Sequence, residues 1–447
     1  ITMHTWYEQA VFYHIYPLGL LGAEKTNTLT ETAHRLRDLE TWIPHIRALN
    51  GSAIYIGPLF ESSTHGYDTR DFRLVDRRLG TNEDFAHFVQ LCHENGIRVV
   101  VDGVFNHTGR EFFAFQDIRE KREASPYKDW YRGVNFGWGS PLGDPFGYEA
   151  WQGHFELPCL NLWNPDVRQY LFDSVRFWVD NFDIDGIRLD CANVLDFGFM
   201  KELREKTSAM KPDFWLMGEV IHGEYNRWVN PEMLHSVTNY ELHKALYSGH
   251  NDHNYFEIAH NVRRLEAVGR SLYTFVDNHD EDRIASKLNN LANLFPVYQL
   301  LFTLPGIPSV YYGSEWGIEG KRSRTSDEVL RPALNLSDML GKAPELASHI
   351  AALGKIHTEN DAFHNGSYKE LLLTNRQYAF SRSGEHGTVI SAVNNDEQPA
   401  SISIPLPCAA SDVVSLLPGE IPFSLENGRL SVTLPANGGA IFKLQEV

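Results

Sequence analysis

The stretch FDIDGIRLD, residues 182–190, reads as a strand of an unusual kind. Ile187 and Leu189 alternate with Arg188 and Asp190, and strand alternation sends residues i and i+2 to one face. A guanidinium and a carboxylate therefore share a side. Burying either charge alone costs several kcal/mol, so the pair either neutralises itself as a buried ion pair or faces a wet cavity. Taken alone, the stretch leaves both readings open.

The same kind of run recurs along the chain: AVFYHIYP (10–17), GSAIYIGPLF (51–60), GIRVVVDGVF (96–105), FWLMGEV (214–220), SVTNYEL (236–242), SLYTFVDNH (271–279) and IPSVYYG (307–313). Amphipathic segments such as TNEDFAHFVQLCHENG (81–96) and PDVRQYLFDSVRFWVDNF (165–182) lie between them. Strands alternating with helices in this number predict a closed (β/α)8 barrel, an α/β fold of the TIM type. The expected catalytic barrel comprises residues 1–107 and 163–361, interrupted by an aromatic-rich insertion at 108–162. From residue 362 to 447 the period shortens to two, in runs such as GTVISAVNN and ASISIPL, and predicts a small antiparallel β-sandwich. That region concentrates no titratable groups and reads as structural.

Composition narrows the function. The chain has 447 residues, with 40 Lys plus Arg against 58 Asp plus Glu and a formal charge of -18. Such a balance argues against a phosphate-backbone binder, so no nucleic-acid partner is expected. No apolar run reaches the roughly 20 residues of a membrane span, and ITMHTWYEQAVFYHIYP lacks the pattern of an export signal. No membrane partner is expected, and the cytoplasm is the expected location. The isolated Cys92, Cys159, Cys191 and Cys408 show no CxxC spacing and read as free thiols.

Barrel chemistry sits at the C-terminal ends of the strands. Those ends carry Asp102, Asn106 and His107 in DGVFNH, Arg188 and Asp190 in GIRLD, Glu219 in GEV, and His279 and Asp280 in FVDNHD. Carboxylates gathered at one rim repel each other unless a cationic species forms there. Asp190 as nucleophile held by Arg188, Glu219 as general acid and then base, and Asp280 as stabiliser of an oxocarbenium-like transition state would divide the labour of retaining glycoside hydrolysis. Asp102 also reads as a loop anchor, and His107 and His279 as core histidines.

With these motifs in order, the chain resembles the α-amylase superfamily, glycoside hydrolase family 13. The likeness runs from FYHIYP (12–17) through GPLFESSTHGYDTRDF (57–72) and PGIPSVYYGSEWG (305–317) into the C-terminal sandwich. It implies Asp190, Glu219 and Asp280 as the catalytic residues. It further implies Arg188, His107 and His279 as orienting and sugar-hydroxyl contacts, and Tyr67 as the ring stacked on the sugar at the cleavage point. LPCLN (157–161), DCAN (190–193), GEVIH (218–222) and SPYKDWYRG (125–133) are similar to the neopullulanase and cyclomaltodextrinase branch, whereas FVDNHDEDRI (275–284) is similar to ordinary α-amylases. The N-terminal sandwich with which that branch dimerises is not found, so a monomer is expected. Ile221 stands where that branch usually has Trp.

The expected activity is endo-hydrolysis of α-1,4 linkages in maltooligosaccharides or starch fragments. The alternatives are a 4-α-glucanotransferase, a cyclomaltodextrinase or neopullulanase, and, remotely, a non-catalytic glucan-binding relative. No cofactor is required. Asn106 matches a structural-calcium ligand of many α-amylases, but the Lys-His pair of those enzymes is Asn193-Val194 here, and LLGAEKTNTLTE lacks the alternating Asp and Asn of an oxygen cage. Trp130, Trp138, Trp151 and Phe155 of the insertion are expected to stack on glucose faces. Asp68 and Arg331 would either bind terminal hydroxyls at the non-reducing end or form a loop ion pair.

Overall fold

A computed structural model of the chain describes residues 5–28 and 30–447. Eight parallel strands form one sheet: β1 (Phe12–Ile15), β2 (Ala53–Ile56), β3 (Arg98–Gly103), β4 (Gly186–Leu189), β5 (Trp215–Gly218), β6 (Ser236–Val237), β7 (Tyr273–Thr274) and β8 (Ile307–Tyr311). Each pairs with its neighbour in sequence and β1 pairs with β8, while the bridge between Thr238 and Tyr273 joins β6 to β7 and rounds the sheet into a barrel.

Alternation sorts the side chains into two cores. Phe12, Ala53, Tyr55, Val100, Trp215, Met217, Tyr273 and Ile307 fill the barrel interior. Tyr13, Ile54, Val99, Val101, Ile187, Leu189 and Leu216 face outward and join the larger core under the helices. Ile187 and Leu189 thus point to the helices, and Arg188, which alternates with them, points to the axis.

The strands are shorter than the sequence predicts. In SVTNYEL only Ser236–Val237 is strand, because Asn239 accepts the Leu242 N–H and starts the helix Tyr240–Asn251. The helices follow their end signals closely. Thr81 and Asp84 form a capping box at the head of Asn82–Glu94, and Asn164 caps Pro165–Phe182 with proline in its first turn.

The insertion after β3 holds the helix Phe113–Lys121 and a hairpin, Ala150–Trp151 with His154–Pro158. Bridges from His107 to Cys159 and from Tyr131 to Leu160 tie it to the barrel rim. Beyond the last barrel helix, Pro344–Glu359, a five-stranded and a three-stranded antiparallel sheet pack face to face. Two of their strands, Ala410–Ser415 and Phe423–Glu426, are not foreseen by the period-two runs. Buried Gln299 on Leu294–Thr303 donates to Ser391 Oγ and to the Ala392 and Ala440 carbonyls, which fixes the sandwich to the barrel. Among the described residues no helix is long and apolar enough to cross a membrane. All four cysteines are free, and three of them are buried.

Candidate active site

Register builds the centre of the site. Asp102 on β3 pairs with Arg188 on β4, and Leu189 pairs with Gly218, the residue before Glu219. The Arg188 guanidinium consequently lies among three carboxylates. Its Nη1 donates to Asp102 Oδ1 at 2.9 Å and to Asp190 Oδ1 at 2.8 Å, and its Nη2 donates to Glu219 Oε2 at 2.8 Å. One fork therefore fixes all three, as the planar, five-donor guanidinium allows and an ammonium would not.

The backbone is shaped to bring them together. Cys191 adopts a left-handed conformation with φ 41°, and its N–H reaches Glu219 Oε1 at 3.0 Å. Its Sγ lies 3.3 Å from Asp190 Oδ2. Gly57, at the end of β2, faces Asp102 so closely that a Cβ there would lie 2.4 Å from Oδ2. Only glycine leaves Asp102 room to turn toward Arg188.

With one cation and three carboxylates, the cluster cannot be fully ionised without excess negative charge. Burial raises the Glu219 carboxyl to about 7, Arg188 opposes this, and the charges of Asp190 and Asp280 add to it. Burial likewise pushes Asp102 up to about 6 against Arg188. Asp102 Oδ2 also accepts the Tyr55 hydroxyl at 2.8 Å, while the Tyr67 hydroxyl stands 3.2 Å from it and 2.7 Å from His279 Nε2. The Tyr67 ring lies nearly parallel to His279, with centroids 5.9 Å apart.

Asp280 sits on the loop after β7, where Asn278 Oδ1 accepts the N–H groups of Asp280 and Glu281. Arg331 Nη2 donates to Asp280 Oδ1 at 3.0 Å, and its Nε donates to the His279 carbonyl. His279 Nε2 stands 3.3 Å from Asp280 Oδ2. Burial keeps both His107 and His279 below the ordinary histidine range, so both are neutral at physiological pH. His107 Nε2 and His279 Nδ1 are buried without a hydrogen-bond partner among the described residues.

Asp102, Arg188, Asp190, Glu219, His279, Asp280, Tyr67 and Arg331 thus form one connected cluster, with His107 at its insertion side. Asp68 accepts from the Thr64 N–H and hydroxyl and lies 3.8 Å from His65 Nδ1, so it braces its own loop. One expectation changes, at Trp130. Trp130 is buried against Phe113, Tyr127 and Tyr170 and is core of the insertion, not a stacking platform. Of the four aromatics expected to stack, Trp151 is the one whose ring faces the cluster, with its centroid 6.0 Å from that of His107. Trp138 is 51% exposed, and Phe155 packs on Tyr148.

Tyr55 and His14 escaped the sequence reading. Their rings stack at 4.3 Å beneath Asp102, and both face the axis by the alternation that places Arg188. The period-two pattern of AIYI and FYHI carried that signal. The Asn106 side-chain amide is 3.1 Å from His107 Nδ1, and among the described residues no group of three or more His, Cys, Asp or Glu could hold a metal.

A barrel with this rim is matched by known proteins. The alpha amylase catalytic-domain family covers residues 27–345. The chain belongs to the α-amylase family of glycoside hydrolases. It is 30% identical to a cyclomaltodextrinase of Geobacillus thermopakistaniensis, over 98% of this chain and 78% of that protein. It is 31% identical to a maltogenic alpha-amylase of Bacillus acidopullulyticus, over 99% of this chain and 78% of that protein. The solved debranching enzyme of Nostoc punctiforme superposes with a TM-score of 0.85 at 27% identity, over 99% of this chain and all of that one. This family membership agrees with the neopullulanase and cyclomaltodextrinase likeness of the motifs, and glucan oligosaccharides are the substrates consistent with it.

Proposed function

We propose that the protein hydrolyses α-1,4-linked glucose oligomers with retention, through a covalent glycosyl ester on Asp190. The observation that carries this reading is the single guanidinium that holds Asp190 and Glu219 on its two nitrogens while burial raises the Glu219 carboxyl to about 7. Two neighbouring carboxyl groups, one of which burial disposes to hold a proton, suit the nucleophile and the acid of such a reaction.

In the first step the Asp190 carboxylate attacks the anomeric carbon, the bond to the glycosidic oxygen breaks, and that oxygen takes the Glu219 proton. Water then gives a proton to Glu219 and its hydroxyl to the anomeric carbon, which releases Asp190. Two displacements at one carbon preserve its configuration. The sugar passes through a cationic state, and Asp280, on the outer side of the cluster, stabilises that charge. Tyr67 supplies the ring under the sugar, and His107 and His279 pack behind it at the edge of the cluster.

The names of the relatives support a second reading, in which cyclic or branched glucans are the substrates. Interception of the ester by a sugar hydroxyl would give transfer. The test is the anomeric form of the first product by proton NMR, combined with chromatography of products from maltooligosaccharides, pullulan and cyclodextrins. Initial release of the α-anomer supports retention, and the β-anomer overturns it. Products longer than the substrate would point to transfer.

A further inference from the structure

A cavity of about 1020 Å³ opens beside the catalytic cluster, walled by the loop after β1 and the loop after β8. It reaches the cluster through Tyr16, His65 and Arg331, and Glu219 takes no part in its lining. The cavity meets the cluster at Arg331, which donates to Asp280 and not to the acid Glu219 of the reading above, and on that reading it is the side that holds the glycosyl part that stays on the enzyme.

Across this cavity Lys25 Nζ of the first loop meets Glu328 Oε2 of the other at 2.6 Å. Their side chains are 77% and 62% exposed, and a pair so wet contributes little stability by itself. Its position is nevertheless preset, because buried groups anchor the backbone on both sides. The wholly buried Arg78, paired with Asp76, donates to the carbonyls of Glu24, Lys25 and Thr64. On the facing loop, Tyr311 and Arg283 both donate to the Leu330 carbonyl, while the Arg331 N–H returns to the Glu328 carbonyl. At their base the two loops touch: a Cβ on Gly19 would lie 2.3 Å from the Arg331 carbonyl oxygen.

We propose that the Lys25–Glu328 pair is an end-stop that seats the non-reducing terminus of the glucan, so that short units of fixed length are released from that end. This rests on the hydrolase reading above, and it replaces endo attack with attack from the chain end. A chain running on past the cavity would have to part the two side chains or pass over them, whereas a free terminus fits beneath.

The test uses a maltoheptaoside labelled at its reducing end, with its non-reducing terminus either free or bridged at O4 and O6 by an ethylidene group. Wild type is expected to cut the free chain at least about tenfold faster than the blocked one, the discrimination available to a steric stop. Lys25→Ala and Glu328→Ala should bring the two rates together and lengthen the released products. The charge-swapped double variant, Lys25→Glu with Glu328→Lys, should restore the difference. Equal cleavage of both substrates by wild type, or single variants that keep the discrimination and product lengths, overturns the end-stop. Cleavage of neither substrate overturns the hydrolase reading with it.

Discussion

Arg188 donates through Nη2 to Glu219 Oε2 at 2.8 Å, although burial drives Glu219 toward its neutral form. The contact holds the acid in place without holding it fully ionised, because Asp190 and Asp102 draw on the other nitrogen of the same guanidinium. A private Arg–Glu pair would keep Glu219 charged and useless as an acid. A shared one leaves it able to gain and lose a proton, and the charges of Asp190 and Asp280 add the negative potential that favours the proton.

Asp190→Asn tests the nucleophile. The amide is nearly isosteric and its carbonyl still accepts from Arg188, so thermal unfolding should change little. Hydrolysis of any maltooligosaccharide is expected to fall by at least about a thousandfold, as loss of a covalent catalyst does. A folded variant that keeps about a tenth of the activity would remove Asp190 from that role.

The architecture was legible because two periodicities were. Alternation in GIRLDC placed Arg188 and Asp190 together on the axis, and the same rule applied to FYHI and AIYI would have found His14 and Tyr55. Trp130 was misplaced because aromatic content shows neither which face of an irregular insertion is inside nor that Phe113, Tyr127 and Tyr170 surround it. Arg331 was noticed without its partner, since 51 residues separate it from Asp280. Contacts between loops carry no local period, and the Lys25–Glu328 pair is of the same kind.

The pH dependence follows from Glu219. Its carboxyl must be protonated when the glycosidic bond breaks, so the rate should fall as pH rises through the neutral region, near the value of about 7 to which burial raises it. Glu219→Gln should abolish cleavage of unactivated glucans but allow slow reaction of a glycosyl fluoride, whose leaving group needs no proton. Stability carries the same sign. A carboxyl that binds its proton more tightly folded than unfolded loses stabilisation as pH rises from the ordinary carboxylate range through its raised value. Glu219→Gln should therefore gain more in thermal midpoint over wild type at about pH 8 than at about pH 5. Equal gains at both pH values, or equal losses of rate on both substrates, would contradict the assignment.

Gly57→Ala tests whether close approach sets the Asp102 carboxylate. The new methyl would meet Oδ2 at 2.4 Å, inside the barrel where neither strand can retreat freely. Overpacking of this kind costs about 1–3 kcal/mol by denaturant titration. Displaced Asp102 would also loosen Arg188 and with it Asp190 and Glu219, so kcat should fall by more than stability alone accounts for. A variant with normal kcat and only a lowered denaturation midpoint would confine Gly57 to packing.

The choice between linear and cyclic substrates sets the geometry of this chain against the names of its relatives. Cyclomaltodextrinase is the name of two relatives at 30% identity, and a ring of glucose units has no terminus. Here the cluster leads into a cavity crossed by Lys25 and Glu328, and Arg331 is held at its entrance by Asp280 and by the face of Tyr16 at 4.5 Å. A ring entering there would need two chain segments side by side where one free end fits. Maltohexaose is therefore expected to show a higher kcat/KM than β-cyclodextrin, with short maltose-type products. In Lys25→Ala the gap should narrow, because removing one arm of the crossing pair opens the cavity to a bend. Should wild type prefer β-cyclodextrin, the cavity must admit a ring with the pair in place, and substrate choice would follow the relatives' names instead of the contact between these two loops.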